Sequence, residues 1–129
     1  MITITTDMGK ITLGKSVIGT LVMDVIESFD GKVILSDAKG RVHKLAYKLK
    51  TMDQADNIEI EQTEDGIDLR VFIILKFGTS IKTTTEKLIA DIRSKVTEAS
   101  GINIGTLSVV VTGMFTTNKV APRHIEVTG

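Results

Sequence analysis

The chain has 129 residues, of which 42% are apolar and 25% charged, the composition of one globular domain rather than of a disordered chain. Its 16 Lys and Arg balance 16 Asp and Glu, so the basic excess of a nonspecific nucleic-acid binder is missing. It has no cysteine and only 4% aromatic residues, which excludes disulfides and thiolate sites and disfavours a base-stacking surface.

The opening, MITITTDMGKITL, lacks the basic start and apolar run of a signal peptide. No stretch approaches the roughly 20 apolar residues that span a bilayer. The expected location is cytoplasmic, with any membrane association supplied by a partner. Ile and Thr alternate over residues 2–5, and Lys10, Ile11, Thr12 and Leu13 alternate again. Both runs predict short half-buried strands. Val17, Ile18, Leu21, Val22, Val25, Ile26 and Phe29 then fall on one helical stripe, with Gly14 as N-cap and Gly31 as stop.

Lys32 to Ser36 predicts a strand, and residues 37–40 a turn. Val42, Leu45, Ala46, Leu49 and Met52 repeat at helical spacing among Arg41, His43, Lys44, Lys48 and Lys50. This predicts a short basic helix in the 41–52 connection. Residues 58–62 alternate as a strand, and Asp65-Gly66 is read as the positive-φ pair of a hairpin turn. The return strand puts Ile67, Leu69, Val71, Ile73, Leu75 and Phe77 on one face. Its other face turns apolar at Phe72 and Ile74, so the middle of the strand is expected to be covered on both sides. After Gly78 a second helix is predicted from about Ser80 to Ser100, with Thr83 and Glu86 as a capping box and Gly101 as its end. A Val-rich strand follows over 103–113, and its exposed edge, with the 41–50 helix and the tail, is the expected surface for protein–protein contact.

The tail contains the only proline, Pro122, and is read as a frayed end or as a strand added to a neighbouring chain. The resulting fold class is α+β: a small, mostly antiparallel sheet, two main helices packed on it and a third short helix at 41–52. Residues 1–114 form the single domain and 115–129 its C-terminal tail.

One string looks like chemistry. GKITLGKS, residues 9–16, matches the phosphate-loop spacing of Gly9, four residues, Gly14, Lys15 and Ser16. A working loop would cradle phosphate on backbone N–H groups, with Lys15 neutralising charge and Ser16 ligating magnesium. The spacers oppose this. Ile11 and Thr12 are β-branched, and the four spacers alternate as an extended strand does. The preceding ITITTD is half-polar, whereas the strand before a phosphate loop is a continuous apolar run. The string therefore reads as a strand entering a Gly-capped helix. His43 and His124 lie in no ligand-spaced cluster, so no metal site is expected. Glu59, Glu61, Glu64, Asp65 and Asp68 crowd the hairpin and read as its solvated face. Ser16 and Ser108 lack a base partner. The basic segment 41–50 reads as a solvated face over an apolar stripe, or as a surface for an acidic partner, a nucleic acid or anionic lipid. No catalytic residue and no cofactor is assigned.

Several segments together resemble a known family. They are GKITLGKSVIGTLV at 9–22, IDLRVFIILKFGTSI at 67–81 with its Phe77-Gly78 pair, Ala99-Ser100-Gly101-Ile102, and LSVVVTGM at 107–114. This series resembles the alkaline-shock, or envelope-stress-response, family of Gram-positive bacteria. Phe77 stands where that family usually has Tyr, Ser100 where it has Thr, and Gly105 where it is bulkier. The resemblance implies a non-enzymatic protein at the cytoplasmic face of the membrane. It would be held there by a small membrane-anchored partner, would self-associate, and would serve cell-envelope stress. Two other readings stand beside it: a nucleotide-binding protein using the 9–16 string, and a small RNA-binding α+β domain, which the neutral charge and few aromatics disfavour.

Overall fold

The alternation of Ile67, Leu69, Val71, Ile73 and Leu75 sets the centre of the molecule. The computed structural model describes residues 2–6, 9–36, 58–116 and 120–129. In chain order these form strands β1 (Ile2–Thr6) and β2 (Gly9–Leu13), helix α1 (Lys15–Glu27), strands β3 (Val33–Leu35), β4 (Ile58–Gln62) and β5 (Ile67–Lys76), helix α2 (Ile81–Ser100), and strands β6 (Ile104–Phe115) and β7 (Val120–Thr128).

β1 and β2 form a separate two-stranded antiparallel sheet, with Ile2 opposite Leu13 and Thr6 opposite Gly9. The other strands make one five-stranded sheet. β5 carries two short strands along the same edge: β4 pairs antiparallel with Ile67–Val71 and β3 with Ile73–Leu75. Its other edge pairs in parallel with β6, and β6 pairs antiparallel with β7. The odd-numbered β5 residues face a single core with Ile18, Val22 and Ile26 of α1 and with Leu88, Ile92 and Val96 of α2. The even-numbered face is also closed in its middle, where Phe72, Ile74 and Val110 are buried.

The expectation of a mostly antiparallel sheet is corrected. The sheet is mixed, because its two longest strands, β5 and β6, run parallel. The reason lies in α2. The 20 residues from Ile81 to Ser100 return the chain about 30 Å at 1.5 Å per residue, so β6 starts at the end where β5 started, which is a βαβ unit. The described fold has two helices. The third one expected in the 41–52 connection, with His43 and the basic segment 41–50, lies outside the described residues.

Two local readings are also corrected. Neither Asp65 nor Gly66 has positive φ; the described residues that do are Asp30, Gly31, Gly78 and Gly101. The cap of α2 is Ser80, whose Oγ accepts from the Thr83 N–H at 3.3 Å, and not Thr83 itself. Gly14 is the N-cap of α1, and Gly101, at φ 76°, closes α2 in the left-handed conformation as its spacing predicts.

Two irregularities shape β6. Against β5, Ile67 faces Ile104 but Leu69 faces Leu107, so β6 holds an extra residue near Gly105. Asp68 stabilises that bulge: its Oδ1 accepts from the Thr106 N–H at 2.9 Å. Higher up, Ile73 faces Val111 but Ile74 faces Gly113, so Thr112 is extra. The Thr112 hydroxyl donates to the Ile73 carbonyl at 3.1 Å and lies 2.6 Å from the Ser36 hydroxyl. Because Thr112 has one proton to give, Ser36 is the donor between them. The bulge also turns Met114 onto the helix face, beside the core. Thr112→Val keeps the shape but takes a buried partner from the Ile73 carbonyl and the Ser36 hydroxyl. It is expected to cost about 1–3 kcal/mol, read as a lower denaturant midpoint at unchanged slope.

Candidate interaction surface

The 9–16 string is an extended strand running into a helix. Gly9–Leu13 are β2, paired residue by residue with β1. Gly14 is extended at φ −73°, ψ 146°, and α1 begins at Lys15. A phosphate cradle needs successive backbone N–H groups curled around one point. Here the strand continues to Leu13, and the first turn is closed from Val17 N–H to Gly14 carbonyl at 3.0 Å. Lys15 is half-buried and Ser16 exposed, and the Ser16 carbonyl accepts from the Thr20 hydroxyl at 2.9 Å. Gly9, Gly14, Lys15 and Ser16 are thus neighbours along the chain, without convergence on a common point.

Of the hairpin carboxylates, Glu61, Glu64 and Asp65 are exposed, as a solvated face requires, while Glu59 and Asp68 have partners. Asp68 is committed to the β6 bulge. Glu59 lies 3.8 Å from Arg70, and Glu126 lies 2.8 Å from it on the other side. Arg70 therefore reaches across the polar end of the sheet from β4 to β7, with its guanidinium 5.3 Å from the Phe72 ring centre. Among the described residues no group of His, Asp and Glu could hold a metal ion. His124 stands exposed on β7, and Ser108 shares a hydrogen bond with Thr128 at 3.0 Å.

The 103–113 segment was expected as an exposed sheet edge. That is corrected: β6 lies between β5 and β7. Val109 and Val111 are fully buried, facing Val127 and Ile125. Residues 120–128 of the tail thus occupy this edge within their own chain. Their end is fixed by Arg93 of α2, whose guanidinium donates to the Ile104 carbonyl and, at 2.6 Å, to the Gly129 carbonyl. The Gly129 N–H donates back to Leu107 at 3.0 Å. Arg93 has no signal in the sequence beyond its place on a helix surface. Two of the described outer edges are blunted. β4 is short and carries Glu59 and Glu61, and β7 carries Pro122 and a register shift beside it.

Of the large apolar side chains described, two stand exposed: Val17 at 42% and Phe77 at 66%. Phe77-Gly78 is the turn from β5 into α2. Its Phe77 N–H donates to the Phe115 carbonyl at 2.7 Å, and Gly78 has φ 91°. The aromatic-Gly pair is therefore a backbone corner joining the tops of β5 and β6, with its ring left outside the core.

A family model for alkaline-shock proteins, described by a cell envelope-related function, matches residues 3–116. The chain belongs to the alkaline-shock family. Comparison with curated proteins and with solved structures returns no match. In this alkaline-shock protein the matched region ends just after β6, so β7 lies beyond it. No helix among the described residues is long and apolar enough to cross a membrane.

Proposed function

We propose that this alkaline-shock protein is a non-catalytic scaffold linked to cell-envelope stress, working by protein–protein contact and self-association. It acts at the cytoplasmic face of the membrane, held there by a small membrane-anchored protein. The family match over residues 3–116, with its cell envelope-related function, carries this reading. Two uses of polar residues support it. The carboxylates nearest to a cluster are engaged with Arg70 and with the Thr106 N–H. The string that spells a phosphate loop is hydrogen-bonded as strand β2 and the first turn of α1.

In-cell cross-linking followed by fractionation tests the reading. The expected result is recovery in the envelope fraction, joined both to further copies and to a membrane-anchored protein. Recovery as a free monomer in the soluble fraction overturns it. Calorimetry with ATP or GTP and magnesium tests the rival. Wild type and Lys15→Ala are expected to give the same flat titration. Micromolar binding that disappears in Lys15→Ala would make this a nucleotide-binding protein instead.

A further inference from the structure

Phe77 continues the odd-numbered, core-facing series of β5, yet 66% of its surface is exposed. It stands one residue past the last residue of β5, beyond the core. The backbone holds it there. The Phe77 N–H is bonded to the Phe115 carbonyl, and Gly78, at φ 91°, turns the chain away into α2. Beside it the Lys76 N–H donates to the Lys32 carbonyl at 2.8 Å. These bonds set Lys32, Lys76, Phe77 and Phe115 in one row across the end of the sheet, and Lys82 follows on the second residue of α2. Lys32, Lys76 and Lys82 are exposed, and none forms an ion pair with a described residue. This end is made by residues 28–32, 76–84, 113–116 and 120–122, in which Asp30 is the one carboxylate. Three lysines against one carboxylate leave it positive, on a chain whose net charge is zero. One turn further along α2, Glu86 and Lys87 balance each other, and Glu27 at the end of α1 is already engaged.

We infer that this end is a contact for anionic lipid: Phe77 enters the headgroup layer, and Lys32, Lys76 and Lys82 meet the lipid phosphates. The inference rests on the placement at the membrane proposed above, and it adds a direct contact to the tether. The cell envelope-related function of the family agrees with it. The chemistry favours lipid over a folded partner. A protein interface of ordinary size buries roughly 800 Å² on each side, around a centre from which lysine is depleted. Here one exposed ring stands among three lysines on three separate segments: the turn after α1, the end of β5 and the start of α2. A bilayer surface asks for no matching shape. An aromatic ring settles at its interface, and each nearby lysine gains from the negative surface potential.

Flotation of the purified chain with vesicles tests this, since it needs no anchoring protein. The vesicles are phosphatidylglycerol and phosphatidylcholine in equal parts, or phosphatidylcholine alone, titrated to millimolar lipid. The chain is expected to float with the anionic vesicles only, and to be released by molar salt. Each of Lys32→Gln, Lys76→Gln and Lys82→Gln should weaken binding by roughly fivefold. Phe77→Ser should weaken it at least as much. Two controls lie away from this end. Lys95→Gln removes the same charge about 20 Å further along α2 at 1.5 Å per residue, beyond a Debye length. Val17→Ser removes the other exposed large apolar side chain, on the first turn of α1. Both should leave binding unchanged. A chain that floats with neither vesicle overturns the inference, and so does an equal loss in Lys95→Gln and Lys76→Gln. If vesicles are ignored while Phe77→Ser and Lys76→Gln break up a wild-type oligomer, this end is a protein contact instead. None of these results touches the tether, which the in-cell fractionation decides on its own.

Discussion

Replacing Gly66 by alanine is expected to destabilise the protein by more than about 3 kcal/mol or to prevent folding, beyond a usual overpacking change of about 1–3 kcal/mol. A Cβ at this position would sit 1.9 Å from the Asn103 carbonyl oxygen and 2.9 Å from its carbon. Both are backbone atoms, so no side chain can swing aside. Nor can the backbone yield cheaply. The Asn103 carbonyl accepts from the Ile67 N–H at 3.0 Å, and the Gly66 carbonyl accepts from the Thr63 N–H at 2.9 Å. The Gly66 N–H is itself bonded to the Thr63 hydroxyl at 3.1 Å. Moving the hairpin away from Asn103 would loosen the start of the parallel β5–β6 pair, where Ile67 faces Ile104. Gly31→Ala is the control. There a Cβ would meet nothing within 4 Å, but φ is 80°, so only the left-handed penalty of about 1–2 kcal/mol applies. Thermal unfolding of both variants checks the order. A Gly66→Ala protein as stable as Gly31→Ala would show that the hairpin relaxes freely.

Gly66 also marks how far the sequence could be read. The alternation in 58–62 and 67–77 gave the hairpin and its register of faces, because period-two apolar spacing is a local property. Asp65-Gly66 looked like a positive-φ turn pair for the same local reason. Its glycine is in fact required by a residue 37 positions further on, Asn103, and nothing local records a close approach between distant backbones. The parallel pairing of β6 failed to show for a related reason. A Val-rich run reads the same in either direction, and only the length of α2 decides which end it starts from. The resemblance to the alkaline-shock family was legible through Gly and apolar positions at 9–22 and 67–114. The contacts that fix the candidate surface were not. Arg93, Asp68 and Thr112 act across 11, 38 and 39 residues of chain, so their partners become neighbours only after folding. Gly9, Gly14, Lys15 and Ser16 illustrate the opposite case. Their spacing matched a site, but the β-branched spacers between them favoured the strand that the structure contains.

Ile73→Ala should cost about 2–5 kcal/mol, a large share of the roughly 5–15 kcal/mol that holds a domain of this size together. Val17→Ala should change stability by less than about 0.5 kcal/mol. The two residues are alike in sequence terms: a β-branched apolar side chain on the predicted inner stripe of its element. They differ in what surrounds them. Ile73 is fully buried in the middle of β5, opposite Leu35 on one side and Val111 on the other, while Val17 is 42% exposed. A cavity at Ile73 cannot close by a shift of one strand, because β5 is hydrogen-bonded along both edges there and its carbonyl also accepts from the Thr112 hydroxyl. The neighbours that could fill the space are fixed by the same bulge that redirects β6. Chemical denaturation of the two variants separates these cases, with an unchanged slope required before the midpoints are compared. Equal and small losses would mean that the centre of the mixed sheet can repack, and that the Thr112 bulge does not fix its neighbours.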